Sequence, residues 1–346
     1  MIPILIRQLA LTLTAGMLAL AAACGQAPAP APVVRASTWT PTASATASPA
    51  PAPTQTGTPD PYAGLTIADL SARSYGPGEL VVDQRLAAEG GFDRVLFHYP
   101  SDGLTVHGFM NLPAGEGPLP VVVVLHGYVS PLGYETLAYS GRYADALAEA
   151  GFLVLHPNYR DYPPSDVGPN PFRIGYAIDV LNLLAIVRQT AGAPGPLAQA
   201  DGQSIGLFGH SMGGGIGLRA ITVDPQIRAA VLYGSMSGDE RLNYEKIVEW
   251  SGGRAGWAEL NTTQADLRRI SPIDHLDRIE AAVSLHHGEL DETVPPIWSE
   301  DLCQRLAALD KPVECFSYSR MPHTFYGEGE RLLLERAIAF FDQHLR

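Results

Sequence analysis

The segment GHSMGG, residues 209–214, is the part of the chain whose residue types most clearly indicate chemistry. It matches G-x-S-x-G, a pattern that places a serine on a sharp turn between a strand and a helix and exposes its hydroxyl group. Ser211 is that serine, and the glycines around it keep the turn free of bulky neighbours. The amino end of the following helix would face the negative charge that develops during attack on a carbonyl carbon. The segment therefore predicts a nucleophilic serine.

A serine hydroxyl is a poor nucleophile until a base removes its proton, so a histidine oriented by an acid is needed. Working side chains of a parallel α/β sheet follow the carboxyl ends of strands, and with this motif the chain order is serine, acid, histidine. The segment MPHTF, residues 321–325, follows the last predicted strand and contains His323, whereas the other histidines do not follow that strand. We therefore predict His323 as the base.

The acid should follow a strand that comes after the serine motif. The segment HHGELDETVPP, residues 286–296, does so, and its position leaves three carboxylates open: Glu289, Asp291 and Glu292. The two histidines at the strand end are expected to shape the site rather than to act as the base.

An oxyanion hole needs two backbone N–H groups directed at the developing negative oxygen. One should come from Met212, directly after the nucleophile. We assign the second to Tyr128 in the segment HGY, residues 126–128, where Gly127 permits a close backbone approach. The alternative is that His126 and Gly127 only form a turn.

Alternating strands and helices must position these side chains. A hairpin is expected over 93–100 and 104–112, around the turn signal SDG. The run PVVVVLH has the β-branched residues of a strand that is buried on both faces. Strands are predicted at 120–126, 152–156, 204–210, 229–234, 282–287 and 313–318, and helices at 135–150, 171–189, 212–223, 297–309 and 330–345. This alternation predicts an α/β fold with a mostly parallel central sheet and helices on both faces.

The stretch from about 236 to 275 interrupts this alternation and has a helical pattern. We interpret it as a short helical insertion over the mouth of the active site, with Tyr244, Trp250 and Trp257 available to contact a substrate. The alternative is that these aromatic side chains pack the insertion onto the core, because aromatic rings bury large areas.

From about residue 90 to its end, the chain resembles the catalytic domain of the prolyl oligopeptidase family of serine peptidases, which has the α/β-hydrolase fold. The motifs that carry the resemblance are NYR (158–160), GHSMGG (209–214), SPIDHLDRI (271–279), HHGELDETVPP (286–296) and PHTF (322–325). The resemblance implies Asp291 as the acid and agrees with His323 as the base. Dienelactone-hydrolase-like and acetyl-esterase-like proteins share the same core.

Two features depart from this family. Many members carry an N-terminal β-propeller that limits substrate size, and the roughly 60 residues between the predicted tether and the strand at 120 are too few for one. Members often have HGGP where this chain has HGYVSP, which bears on the second oxyanion donor. No feature of the sequence sets a specificity for proline.

The sequence predicts a serine hydrolase that acts on a small peptide or ester substrate. A peptidase of short peptides is the first hypothesis, and a carboxylesterase of small or medium acyl esters is the second. A third is a lipoprotein that keeps the fold only for binding, which the presence of all three triad candidates disfavours. No metal or organic cofactor is implied, because the cysteines and histidines lack zinc-like spacing and no G-x-G-x-x-G follows a first strand.

Residues 1–24 are typical of an export signal, with Arg7 as the only charge before an apolar run that ends in small residues. LAAAC resembles a bacterial lipobox, which implies a lipid on Cys24 and a membrane-anchored protein outside the cytoplasm. The alternative is a cleaved signal peptide and a secreted protein. Residues 25–61, rich in Ala, Pro, Thr and Ser, cannot bury enough apolar surface to fold and are expected to form a tether. Residues 62–346 form the catalytic domain.

Charge and cysteine content add two expectations. The formal net charge is −13 and no run of Lys and Arg offers a surface for nucleic acid. Cys303 on a predicted helix and Cys315 on the next strand could form a disulfide outside the cytoplasm. The alternative is two buried thiols.

Overall fold

The computed structural model describes residues 60–76, 78–87 and 90–346. The predicted signal peptide, Cys24 and nearly all of the predicted tether lie outside these residues. The described strands are β1 (Val81–Leu86), β2 (Phe92–Ser101), β3 (Leu104–Pro113), β4 (Leu119–Leu125), β5 (Leu153–Pro157), β6 (Ala200–His210), β7 (Ala229–Tyr233), β8 (Ala282–Gly288) and β9 (Val313–Tyr318).

From β4 onward, helices and strands alternate as the sequence predicts, except in the predicted insertion, where three helices follow one another. The described helices are α1 (Ile67–Ala72), α2 (Gly141–Glu149), α3 (Ile174–Thr190), α4 (Met212–Val223), α5 (Glu240–Trp250), α6 (Trp257–Leu260), α7 (Gln264–Ile270), α8 (Pro296–Ala308) and α9 (Gly327–Leu345). Short 3-10 helices span Pro131–Gly133, Pro171–Arg173 and Pro272–Arg278. No helix in the described part of the chain is both long enough and apolar enough to cross a membrane.

All nine described strands form one sheet in the order β1-β2-β3-β5-β4-β6-β7-β8-β9. Strands β1, β2, β3 and β5 pair with one another, in that order, in antiparallel fashion. Strands β5, β4, β6, β7, β8 and β9 form the rest of the sheet and run parallel to one another. This arrangement confirms the predicted α/β class. The parallel strands bring the loops after β4, β6, β7, β8 and β9 to one edge of the sheet.

Strand β4 shows why the sheet is buried on both faces. Val121, Val123 and Leu125 pack into one hydrophobic cluster, whereas Val122 and Val124 pack into a second cluster on the other face. The alternation follows from the two-residue period of a strand. Each buried valine or leucine contributes about 1.5 to 3 kcal/mol relative to an exposed one, so an unbroken β-branched run is the expected choice for this central strand.

Two predicted helices begin later than expected. The helix predicted at 135–150 begins at Gly141, because Tyr139 has a φ of 58° that no right-handed helix accepts. The helix predicted at 171–189 begins at Ile174, because Phe172 and Arg173 have φ values of 52° and 58°. Helix α1 and strand β1 were not predicted from the sequence, and the predicted insertion contains α5, α6 and α7.

Cys303 on α8 and Cys315 on β9 are joined by a disulfide, with their Cα atoms 6.4 Å apart. The two elements are neighbours in the chain and in space. The bridge fixes the middle of α8 to the last strand of the sheet.

Arg160, from the NYR motif, forms a buried ion pair with Asp179 on α3. The two side chains are 4% and 0% exposed, and Arg160 Nη2 lies 2.7 Å from Asp179 Oδ1. Asp179 also accepts hydrogen bonds from the backbone N–H of Arg160 and from the hydroxyl of Ser101. Removal of the guanidinium would leave the buried carboxylate of Asp179 without a compensating positive charge.

We predict that Arg160→Ala lowers the free energy of unfolding by about 3 to 5 kcal/mol. Thermal unfolding measures this effect, with a shift of about 2 to 4 °C per kcal/mol expected for a domain of this size class. Arg305→Ala is the matched control, because its pair with Asp301 is about half exposed and should cost less than about 1 kcal/mol. Equal shifts for the two variants would contradict the assignment.

Candidate active site

Ser211 lies on the turn between β6 and α4, with φ 57° and ψ −118°. This left-handed conformation is costly for a residue with a side chain, and surrounding contacts must hold it. Its N–H donates to the carbonyl of Tyr233 at 2.9 Å, and its own carbonyl accepts from Met236 N at 3.1 Å and Gly214 N at 3.0 Å. Hydrogen bonds from the neighbouring strand end and from α4 thus hold the strained turn in place.

Two glycines of the motif are required by close backbone contacts. A Cβ atom on Gly209 would lie 2.4 Å from the carbonyl oxygen of Gly213, and one on Gly213 would lie 2.0 Å from the carbonyl oxygen of Leu125. Real Cβ atoms do not approach backbone oxygens so closely. The first turn of α4 therefore packs directly against the ends of β4 and β6, which is the physical reason for G-x-S-x-G at this position.

The structure brings together the three side chains that the sequence singled out. His323 Nε2 lies 2.9 Å from Ser211 Oγ, and His323 Nδ1 lies 2.7 Å from Asp291 Oδ2. They come from the loops after β6, β8 and β9, which meet at the same sheet edge. A nucleophile, a base and an acid in this order can transfer a proton from the hydroxyl to the imidazole.

The other two candidate acids do not enter this arrangement. Glu289 and Glu292 are exposed, and Glu289 accepts a hydrogen bond from the Ser317 hydroxyl at 2.9 Å. Asp291 is 6% exposed. The turn of the loop therefore directs Asp291 alone, among the three carboxylates, towards His323.

Asp291 is held in its ionised form. Burial raises the pKa of its carboxyl group, but hydrogen bonds from His287 and His323 outweigh this effect and hold the pKa well below its usual range. Its Oδ1 atom accepts the N–H groups of Thr293 at 2.9 Å and Val294 at 2.8 Å. The carboxylate is thus negative throughout the neutral pH range and fixed in orientation.

His210 supports the loop that carries His323, a role that was not predicted from the sequence. Its Nε2 donates to the backbone carbonyl of His323 at 3.0 Å, so its Nδ1 is left to accept from the hydroxyl of Tyr139. Burial, followed by the nearby His323, lowers the pKa of His210 to about 3. The ring stays neutral and serves as a fixed hydrogen-bonding spacer. The identity of residue 210, within the serine motif, was the available signal.

The loop 126–128 lies beside the nucleophile. A Cβ atom on Gly127 would lie 3.1 Å from Ser211 Cβ, so the absence of a side chain permits the approach. His126 Nε2 lies 2.9 Å from the carbonyl oxygen of Asn158, which links this loop to the NYR motif. Tyr128, the predicted second oxyanion donor, follows Gly127 in this loop and is 70% exposed. Met212 is the first residue of α4, where N–H groups lack helical partners.

The three aromatic residues of the insertion differ in burial. Tyr244 is buried and packs edge-on against Phe172 with ring centroids 5.3 Å apart, as in the packing alternative. Trp250 and Trp257 are 43% and 61% exposed.

A small cavity of about 20 Å³ lies next to the nucleophile turn. Its lining includes apolar side chains of α4 and of the segments before α3 and after β7, namely Phe172, Met212, Ile216 and Met236. Arg173, Arg219, Glu240 and Asn243 form its polar wall. In the described part of the chain, no group of three or more His, Cys, Asp and Glu side chains is arranged to hold a metal ion.

The C-terminal part of the chain carries the match to a known family. Residues 195–346 match the model of the prolyl oligopeptidase family. The match confirms the resemblance over the part of the domain that contains Ser211, Asp291 and His323. The uncharacterized peptidase YtmA of Bacillus subtilis is 28% identical over 244 residues, covering 69% of this chain and 89% of that protein. Together these comparisons identify the chain as a serine hydrolase.

Solved structures confirm the α/β-hydrolase fold. The acetyl xylan esterase of Paenibacillus sp. R4 superimposes with a TM-score of 0.59 at 19% identity, over 81% of this chain and 92% of that one. The acylaminoacyl peptidase of Pyrococcus horikoshii superimposes with a TM-score of 0.57 at 20% identity, over 73% of this chain. This prolyl-oligopeptidase-like chain spans only 42% of that peptidase.

We predict that Gly213→Ala disrupts the serine turn, because its new Cβ atom would overlap the carbonyl oxygen of Leu125. The free energy of unfolding should fall by about 1 to 3 kcal/mol or more, and the Ser211 hydroxyl should lose its reactivity towards a fluorophosphonate probe. Gly133→Ala is the control, because nothing lies within 4 Å of its Cβ position. A fully reactive, fully stable Gly213→Ala protein would refute the packing argument.

Proposed function

We propose that this serine hydrolase cleaves acyl bonds, in the first place the peptide bonds of short peptides, through Ser211, His323 and Asp291. The supporting observation is the continuous pair of hydrogen bonds, 2.9 Å and 2.7 Å long, that links these side chains. The match to the prolyl oligopeptidase family model and the names of the peptidase relatives favour a peptide substrate.

In the proposed mechanism, His323 Nε2 takes the proton of Ser211 as Oγ attacks the carbonyl carbon. Asp291 accepts from His323 Nδ1 and stabilises the imidazolium that forms. The N–H groups of Met212 and Tyr128 hold the developing oxyanion. His323 then protonates the leaving amine as the C–N bond breaks, and water hydrolyses the acyl-enzyme by the same steps in reverse order.

The pH dependence follows from the charges. The pKa of Asp291 is lowered in the folded protein, so its ionised form stabilises the fold above about pH 4 and this contribution is lost as the pH falls towards the lowered pKa. Activity should in addition require a neutral His323, because a protonated imidazole cannot accept the Ser211 proton.

A second candidate is an esterase of small acyl groups. The cavity beside the nucleophile has about 20 Å³ of space, room for a group of about the size of one water molecule. The triad side chains are not among the residues that line this cavity, so the support for this candidate comes from the esterase names among the related proteins. The name of the Paenibacillus structure, an acetyl xylan esterase, is in keeping with this candidate.

A substrate panel tests the proposal. We expect residues 62–346 to hydrolyse short peptide anilides as well as aryl acetates, and Ser211→Ala to lower both activities by about 10⁴-fold or more and to abolish fluorophosphonate labelling. Hydrolysis of esters alone would reject the peptidase assignment and leave the esterase. An active Ser211→Ala protein would reject the triad, and an unlabelled wild-type protein would favour a binding role.

We also propose that the chain is a lipoprotein outside the cytoplasm, with a lipid on Cys24 and residues 25–61 as the tether. The support is the sequence pattern around Cys24. In a bacterial host, the wild-type protein should fractionate with membranes and Cys24→Ala should not, while whole-protein mass spectrometry should show the acyl groups only on the former. Equal release of both proteins would favour an ordinary signal peptide and a secreted enzyme.

A further inference from the structure

The carboxylate of Asp291 has hydrogen-bond partners on all sides. Oδ1 accepts two backbone N–H groups, from Thr293 and Val294. Oδ2 accepts from His323 at 2.7 Å and also lies 3.1 Å from Nε2 of His287. A carboxylate has about four lone-pair positions, and the fourth is faced by Nε2 of His287, whose N–H donates to the carbonyl of Val294. Two imidazoles, those of His323 and His287, therefore face the Oδ2 atom of Asp291.

The tautomer of His287 follows from its neighbours. Its Nε2 faces two acceptors, Asp291 Oδ2 and the carbonyl oxygen of Val294 at 3.0 Å, so this nitrogen carries the proton. Its Nδ1 lies 2.6 Å from the hydroxyl of Ser299, which donates to it when the ring is neutral. The ring is 5% exposed and cannot exchange these partners for bulk water.

Nε2 of His287 also connects the two ends of residues 287–294, the acid loop. Val294 donates its N–H to Oδ1 of Asp291 and accepts at its carbonyl from His287. His287 thus holds both the carboxylate and the turn that binds it. A carboxylate without this partner could rotate and direct Oδ2 away from His323.

Helix α8 provides a rigid support for this contact. Ser299 and Cys303 are four residues apart on α8, so they lie on one face of the helix. The disulfide from Cys303 to Cys315 fixes that face to β9.

We propose that His287 is a positioning residue for the catalytic carboxylate and that Ser299 sets its tautomer. This inference depends on the proposed role of Asp291 as the acid. His287 keeps Oδ2 directed at His323 and shares the negative charge of that oxygen. The other titratable groups that face this cluster are His323 from the loop after β9, His210 from the end of β6, and Glu300 from α8, which lines the same cavity as His287.

Loss of His287 should have two kinetic effects. The value of kcat should fall by about 10- to 100-fold, because the acid is no longer held in one orientation, with little change in KM. In addition, the acidic limb of the kcat/KM profile should move to higher pH by about half a unit to one unit, because the full charge of Oδ2 then stabilises the imidazolium of His323.

The experiment compares His287→Leu, His287→Gln and Ser299→Ala in the proposed hydrolase, with thermal unfolding measured on each protein. His287→Leu should show both effects. His287→Gln retains an N–H near the position of Nε2 and should restore part of kcat and most of the wild-type profile. Ser299→Ala should shift the profile in the same direction by a smaller amount.

His286→Leu is the matched control. His286 is the neighbouring histidine on β8, is fully buried, and bonds to Ser284 and Tyr318 rather than to Asp291. It should lower stability without moving the acidic limb. If His287→Leu does not fold, the profiles of His287→Gln and Ser299→Ala decide the question.

An unshifted acidic limb in His287→Leu would overturn the inference. If His287→Leu is unfolded, an unshifted limb in both His287→Gln and Ser299→Ala would do so. If the acidic limb is unshifted while the Ser211→Ala and Asp291→Asn proteins are inactive, the positioning role of His287 is rejected and the proposed triad remains. Full activity of Asp291→Asn would instead reject the triad itself, whatever His287 does.

Discussion

The contact between the first turn of α4 and the carbonyl end of β4 is the constraint on which the site depends. Gly213 lies so close to Leu125 that no side chain fits between them. This packing fixes the direction in which α4 leaves the sheet, and therefore the left-handed backbone of Ser211. The cost of that backbone is offset by hydrogen bonds from two neighbouring segments. The strained turn that carries the hydroxyl is thus held by direct backbone contact between α4 and the end of β4.

Three imidazoles within this region have different roles because their partners differ. His323 lies between a hydroxyl and a carboxylate, so it can take up and release a proton. His210 is kept neutral by burial and donates to a backbone carbonyl. His287 is wedged between a carboxylate and a serine hydroxyl. One residue type therefore supplies a proton carrier and two fixed donors, and the distinction arises from environment alone.

The order of the elements from β4 to α9 could be predicted from the sequence because their apolar runs are long and strongly patterned. Strand β1 could not, since its six residues, VVDQRL, are largely exposed and leave no alternation to detect. The starts of α2 and α3 were placed too early because left-handed backbone at Tyr139, Phe172 and Arg173 has no signal in residues other than glycine or asparagine.

The triad candidates could be identified from the sequence because each follows a strand, but their supports could not. His286 and His287 are adjacent on β8 and must point to opposite faces, yet nothing in their order says which face holds the acid loop. The choice among Glu289, Asp291 and Glu292 came from the family resemblance, because the turn that selects one carboxylate depends on backbone contacts after the strand.

The disulfide lies within the stretch of chain that separates Asp291 from His323. These two residues are 32 positions apart, and the bridge closes 12 of them into a ring. In an unfolded chain the path between Asp291 and His323 is thereby shortened to about 20 residues. The free-energy cost of bringing the two residues together falls by roughly 0.4 kcal/mol. Oxidation of the two cysteines therefore does little to bring Asp291 and His323 together. Its larger consequence is that β9 stays attached to α8, the helix behind Asp291.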